Sequence, residues 1–380
     1  MVRNRPYFFS TWADWILSID KIQPGYLNIR RSSYSTVIFR FLKRALLGIL
    51  VFLGILNVVS FGRHVIVELF PDDLDNRLGA WDFSDNRLSI FSHWTTDGVT
   101  LSNCHSHNDY WRKIPLYSAI RAGCISVGVD IWLSDGDIVV GHNPPSLDHR
   151  VTLNTLYLRP LLEMIRRHND YVKELQRSYE NNVSLAGVFA SDPSQSLTLL
   201  LDIKSDGYEL WPHVMNQLQP LREAGYLTYF DGINLNQRPI TIVASGNAPI
   251  DQIMANHTER DVFYDVPLDK LPLVSSNKRQ PSADYNISNS HYASVDFRKA
   301  VGEIRHNRFS ATQLALIREQ IGIAHDYGLK VRYWGTPTWP RGLRNHVWHI
   351  LVREGVDLIN AEDLREATRQ DWRKHRSWLL

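Results

Sequence analysis

The chain has 380 residues, 44% hydrophobic and 22% charged, the proportions of an ordinary globular protein. Forty-two basic against forty acidic residues leave a formal net charge of +2, without the basic excess of a dedicated nucleic-acid binder. The only cysteines, Cys104 and Cys124, exclude a disulfide scaffold and a four-cysteine zinc site.

The apolar residues are unevenly spread. Ala45 to Phe61 reads ALLGILVFLGILNVVSF, uncharged, with Asn57 and Ser60 its only polar residues. About 17–25 such residues cross hydrocarbon as a helix. The run begins too late for a cleaved signal peptide and lacks the polar stripe of a core helix, so it predicts a single transmembrane anchor over residues 45–61. Arg30, Arg31, Arg40, Lys43 and Arg44 precede it. Arg63 and Arg77 follow, diluted by Glu68, Asp72, Asp73 and Asp75. The basic side stays cytosolic, so residues 1–44 are expected in the cytosol and the rest in a lumen or outside the cell. The short span favours a thin endomembrane such as the endoplasmic reticulum. Sequons at Asn182, Asn256 and Asn286 are compatible with that side. There Cys104 and Cys124 either form a disulfide or remain two buried thiols. Residues 62–97, acidic and polar over Pro71–Thr96, read as a stalk.

Beyond the stalk, short apolar runs alternate with amphipathic segments. Strands are predicted at Val99–Cys104, Ile125–Ile131, Leu197–Ile203, Thr241–Ser245, Val262–Asp265, His291–Val295, Leu329–Tyr333 and Asp357–Asn360, with a hairpin strand at Asp137–Val140. Helices are predicted at Pro115–Ala122, Leu156–Asn169, Glu209–Ala224, Thr312–Tyr327, Arg344–Glu354 and Glu362–Arg369, with a short one at Asp251–Asn256. Asn181–Ser196 has the composition of a surface insertion. The alternation implies parallel strands covered by helices, and eight strands over residues 98–370 predict a (β/α)8 TIM barrel. Residues 371–380 read as a tail. An open doubly wound sheet is the alternative; it would more often carry a glycine-rich turn after strand one, and Asn103–Tyr110 has no glycine.

Barrel chemistry gathers at the C-terminal ends of the strands. Those ends carry Cys104-His105-Ser106-His107-Asn108-Asp109-Tyr110, then Asp130 and Trp132, then Gly141-His142 from the hairpin. Asp202-Ile203-Lys204, Arg332-Tyr333-Trp334 and Asn360 follow, with Glu362 and Asp363 beyond.

Segments HSHNDYWRKIPLYSAIRAGCISVGVDIWL, IVVGHNPPSL, TLYLRPLL, LLLDIKSDG, LKVRYWGTPTWP and GVDLINAEDL resemble the phosphatidylinositol-phospholipase-C-like phosphodiesterases, which include glycerophosphodiester phosphodiesterases. More closely, the chain resembles the fungal altered inheritance of mitochondria protein 6 family, over roughly Leu101 to Leu364. The resemblance implies that His107 and His142 act as general acid and base on a phosphodiester. Imidazole suits both tasks near neutral pH. It also implies one divalent cation, Mg²⁺ or Ca²⁺, held by a Glu-x-Asp pair on strand two and an acidic residue on strand three. Asp130 and Asp202 match two of those metal positions. His105, Asn108, Lys204 and Trp334 are expected to contact the substrate, Lys204 by holding a phosphate oxygen. At the Glu position this chain has Gly128, which supplies no ligand. Three outcomes follow: a weakened cation site, a substitute carboxylate such as Asp109 or Asp135, or reduced or absent catalysis.

The leading expectation is a membrane-anchored phosphodiesterase acting on a glycerophosphodiester or phospholipid headgroup. One alternative is a non-catalytic barrel that binds phosphorylated or lipid ligands. The other is a His-x-His zinc or manganese phosphoesterase built on His105 and His107.

Overall fold

A computed structural model describes residues 33–69, 96, 98–143, 150–176, 185–255, 259–271, 285–369 and 371–372. The chain divides into two compact units, Met1–Leu74 and Asp75–Leu380.

In the first unit one helix, α1 (Ser33–Leu69), runs without a break. Its stretch Ile38–Val59, 22 residues, is long and apolar enough to cross a membrane, and none of it is buried in protein. At 1.5 Å per residue that is about 33 Å, the thickness of a hydrocarbon core. Asn57, polar within this stretch, donates its amide to Leu53 O at 2.9 Å, which satisfies it inside the helix. The helix reaches Leu69, so the first part of the expected stalk is helical; residues 70–95 lie outside the described ones.

In the second unit the strands close on themselves. β1 (Ser102–Ser106), β2 (Cys124–Ser134), β4 (Leu197–Ile203), β7 (Ile240–Gly246), β8 (Val262–Pro267), β9 (Ser290–Asp296), β10 (Lys330–Trp334) and β11 (Leu358–Ala361) pair in parallel in that order. β1 pairs both β11 and β2, which completes an eight-strand barrel. The chain therefore is a TIM-type barrel, not an open sheet. β3 (Asp137–Val140) folds back antiparallel on the end of β2. A further small hairpin, β5 (Tyr229–Phe230) with β6 (Leu235–Asn236), was not expected from the sequence.

Buried apolar residues on both faces make these strands, as LTLLLDI in β4 shows. The helices are α2 (Tyr117–Ala122), α3 (Arg159–Gln176), α4 (Gly207–Gln217), α5 (Gln219–Glu223), α6 (Ile250–Ala255), α7 (Phe297–Ala300), α8 (Ala311–Asp326), α9 (Arg341–Glu354) and α10 (Leu364–Thr368). Ile317, Ile321 and Ala324 of α8 and Val347 and Leu351 of α9 pack with Ala293, Val295, Val331 and Tyr333 in one core. Ser310 and Gln313 form a capping box that starts α8. The single helix expected over Glu209–Ala224 breaks at Leu218, because Pro220 has no N–H to continue it. Gly123 ends α2 at φ 87°, where a Cβ would stand 2.0 Å from Thr100 O.

Three expectations are corrected. The described part of Asn181–Ser196 is no surface insertion: Val188 and Phe189 are buried, and Thr96 Oγ1 bridges Val188 O and the Ala190 N–H at the N-terminal end of the barrel. The barrel does not end at residue 370, since Trp372 is buried against Trp348 with ring centroids 5.4 Å apart. Strand one runs to Ser106 rather than Cys104, so His105 lies within it.

Cys104 and Cys124 are joined in a disulfide between neighbouring β1 and β2, across a sequence separation of 20. Loss of this cross-link in Cys104→Ser should lower unfolding free energy by about 3 kcal/mol, from loop-closure entropy. Urea denaturation of the full chain in detergent, with and without reductant, measures it.

Candidate active site

Alternate residues of each strand face the barrel interior. On β2 these include Ser126, Gly128 and Asp130, and on β4 Thr198, Leu200 and Asp202. The two runs are paired in register, Ser126 with Thr198, Gly128 with Leu200 and Asp130 with Asp202. Two carboxylates thus meet at the C-terminal mouth. Lys204, just past β4, puts Nζ 2.7 Å from Asp202 Oδ2 and 3.6 Å from Asp130 Oδ1. Burial disfavours the ammonium, but Asp202 and Asp130 outweigh it and hold its pKa above the usual lysine value. Burial also pushes the Asp202 carboxyl up, against the pull of Lys204.

The β2–β3 hairpin delivers His142. Gly141 N–H donates to Asp130 O at 3.2 Å, and Trp132 Nε1 donates to Gly141 O at 2.6 Å. The His142 imidazole then lies with Nδ1 3.0 Å from Asp130 Oδ2. At the end of β1, His107 N–H continues the ladder to Ala361 O at 3.0 Å, and its Nδ1 lies 3.3 Å from Glu362 Oε1. That contact first, with Arg112 further helping, holds the Glu362 carboxyl below the usual range. Each histidine therefore leans Nδ1 on a carboxylate, which fixes the ring.

The loop after β1 closes the network. Asn108 takes the left-handed conformation at φ 46°. Tyr110 then donates its hydroxyl to Asp130 Oδ2 at 2.8 Å, 3.3 Å from His142 Nδ1 and 3.2 Å from Asn108 Oδ1. Burial and Asp130 push this phenol well above its usual pKa, so it stays protonated. The ring of Trp111 is centred 5.2 Å from that of His142 and is 59% exposed.

Of the residues singled out in the sequence, His142, Asp130, Asp202, Lys204 and Asn108 come together in this one network. His107 joins Glu362 at the adjacent strand ends. Trp334 ends β10, separated from β1 by β11. His105 is not exposed at the mouth, where substrate contact was expected. It is 0% exposed beneath it, with Nδ1 2.7 Å from Ser126 Oγ. Burial first, then Arg332, His107 and Arg112, keeps its pKa well below the ordinary value. Tyr110 and Glu362 stand among the polar strand-end residues of the sequence without a site role, and Arg112 was not singled out. The first and last are in the HSHNDYWR segment and Glu362 follows strand eight, so their position at strand ends was the available signal.

The fit of a divalent cation can be judged from the donors present. Asp109 does not stand in for the missing glutamate. It is wholly buried and accepts hydrogen bonds from Ser106 Oγ (2.6 Å), Leu116 N and Tyr157 OH (3.0 Å), with Arg112 Nε 3.3 Å away. Asp135 lies in the hairpin turn, about 16 Å of strand beyond Asp130. A Cβ on Gly128 would stand 2.5 Å from His105 Nε2, so the imidazole already fills that place. Among the described residues no three histidine, cysteine, aspartate or glutamate side chains cluster as metal ligands. The residues do not fit the three-carboxylate cation site that the resemblance implied. The His-x-His zinc reading fares no better: His105 and His107 turn to Ser126 and Glu362, and His325 pairs with Asp357 at 2.8 Å, at the start of β11.

A closed parallel barrel with histidines, a lysine and carboxylates at its C-terminal mouth has the architecture of the phosphodiesterase barrels. Comparison with known proteins makes this specific: the AIM6-like phosphodiesterase domain family matches residues 93–265. The altered inheritance of mitochondria protein 6 homolog of Arthroderma benhamiae is 36% identical over 294 residues, 74% of this chain and 88% of that protein. The Lachancea thermotolerans protein of that name is 34% identical over 300 residues, 74% of this chain and 68% of that one. The chain belongs to the altered inheritance of mitochondria protein 6 family. Among solved structures, a glycerophosphodiester phosphodiesterase from Parabacteroides distasonis aligns at a TM-score of 0.38 and 11% identity, over 71% of this chain and 97% of that one.

Asp109→Ala should destabilise the chain by about 3–5 kcal/mol, because it removes the buried charge partner of Arg112 and leaves three donors unpaired; urea denaturation measures it. His105 is neutral in the fold but regains a pKa of about 6.5 when unfolded. The unfolded chain thus binds the extra proton, and the stability contribution, complete above that pH, falls as pH drops below it. The expected slope is about 1.4 kcal/mol per pH unit, and His105→Gln should flatten the stability profile by that amount.

Proposed function

We propose that this protein is a phosphodiesterase acting on a glycerophosphodiester or the headgroup of a phospholipid, with His107 and His142 as its general acid and base. The observation that carries the reading is the pair of histidine–carboxylate contacts, His107 with Glu362 and His142 with Asp130, at a mouth that also holds Lys204. Lys204 binds a phosphate oxygen. One imidazole takes the proton of the attacking hydroxyl, from water or from the substrate itself, and the other protonates the departing alcohol oxygen. Attack by a substrate hydroxyl gives a cyclic phosphate first. Glu362 and Asp130 stabilise whichever ring is charged. Asn108 and Trp334 line the substrate's approach.

Residues of α1 anchor the chain in a membrane, with the N-terminus cytosolic and the barrel in the lumen or outside, on an endomembrane. The basic flank and the Cys104–Cys124 disulfide support that side, since disulfides persist in oxidising compartments. A tether raises the local concentration of a barrel at its lipid substrate.

The test is hydrolysis of glycerophosphocholine and lysophosphatidylcholine by the full chain in detergent, followed by phosphorus NMR. His107→Ala and His142→Ala are each expected to lower kcat/KM by at least about 100-fold. Variants that leave turnover intact would remove the site assignment. A wild-type chain that binds phosphate without turnover would favour the non-catalytic barrel, which Gly128 supports.

A further inference from the structure

We infer that the barrel mouth is a cation-independent phosphate site, in which the Lys204 ammonium takes the part of the divalent ion and His105 fills the place of the missing carboxylate. The inference rests on the phosphodiester reading above.

Two adjustments interlock. Gly128 removes a ligand, and the space is not left open for another. His105 Nε2 is buried without a partner and stands 2.5 Å from where a Cβ on Gly128 would be. Ser126 Oγ, itself taken up by Tyr292 OH at 3.0 Å, holds the other ring nitrogen. A glutamate at 128 therefore has no room unless the buried imidazole leaves. The surviving carboxylates are also already engaged. Asp130 Oδ2 takes Tyr110 and His142, Asp130 Oδ1 faces Lys204, and Asp202 Oδ2 takes Lys204. Asp130 is thus the orienting partner of His142 rather than a free ligand.

The charge cost of the exchange is small: losing a glutamate together with a divalent cation makes the site only one unit more negative. Lys204, positioned between two carboxylates and 29% exposed in its side chain, still has N–H groups for a phosphate oxygen.

Calorimetric titration of the full chain in detergent micelles tests the inference without relying on turnover. Mg²⁺ and Ca²⁺ titrated alone are expected to give no saturable binding to wild type, nor to Gly128→Glu. Inorganic phosphate is expected to bind with equal affinity, within about twofold, in EDTA and in excess Mg²⁺ or Ca²⁺. Lys204→Met should weaken it by at least about tenfold, the loss of a charge-assisted hydrogen bond. Lys204→Arg, which keeps the charge, should retain phosphate binding, which keeps the test readable where the methionine variant fails to fold. Saturable cation binding to wild type that Asp202→Asn removes would overturn the inference, as would phosphate binding that requires the cation. Absence of phosphate binding in every condition would instead remove the phosphate site, and the proposed function with it.

Discussion

In a closed barrel each strand offers every second residue to the interior, and the pairing register decides which of these meet. Here β2 and β4 lie in register, so Asp130 faces Asp202 at the mouth. Two carboxylates on adjacent strands repel unless a cation stands between them, and Lys204, two residues past Asp202 and on the same face, provides it. Much of the site follows from that ammonium. It frees Asp130 Oδ2 to hold His142, and Tyr110 ties the same oxygen to the loop that carries His107 and Asn108.

The barrel is also braced beneath this mouth. Arg332 spans the interior to Asp265, Ser294 and Asn360, and Asp109 anchors the loop after β1 to Tyr157 and Leu116. Such buried charges are tolerable because they are paired, Arg332 with Asp265 and Arg112 with Asp109, and removal of one partner leaves the other to the full desolvation penalty. The disulfide joins β1 to the first residue of β2. Support of this kind holds the side chains at the strand ends in place.

Much of the fold was legible in the sequence because strands buried on both faces leave continuous apolar runs, as in β4 and β7. The misplacements have physical causes. Polar residues such as His105 and Ser106 disguise the end of β1, although they are buried and paired there. Val188 and Phe189 sit among loop-like residues, so their burial at the base of the barrel was hidden by composition. Tyr110 and Glu362 carry no signal of their own, because a tyrosine in a loop or a glutamate after a strand acquires a role only through what lies across the barrel from it.

The sequence by itself determined the apolar segment ahead of the barrel, the strand–helix alternation and the polar residues gathered at strand ends. These depend on composition and periodicity, which are local. The tertiary structure decided what those residues do to one another: that Cys104 and Cys124 pair, that Asp109 is a brace and not a ligand, and that Asp130 serves His142. It also decided the meaning of Gly128. Read along the chain, the glycine is a missing ligand; in the closed barrel its place is occupied by an imidazole from the neighbouring strand, because β1 closes directly onto β2.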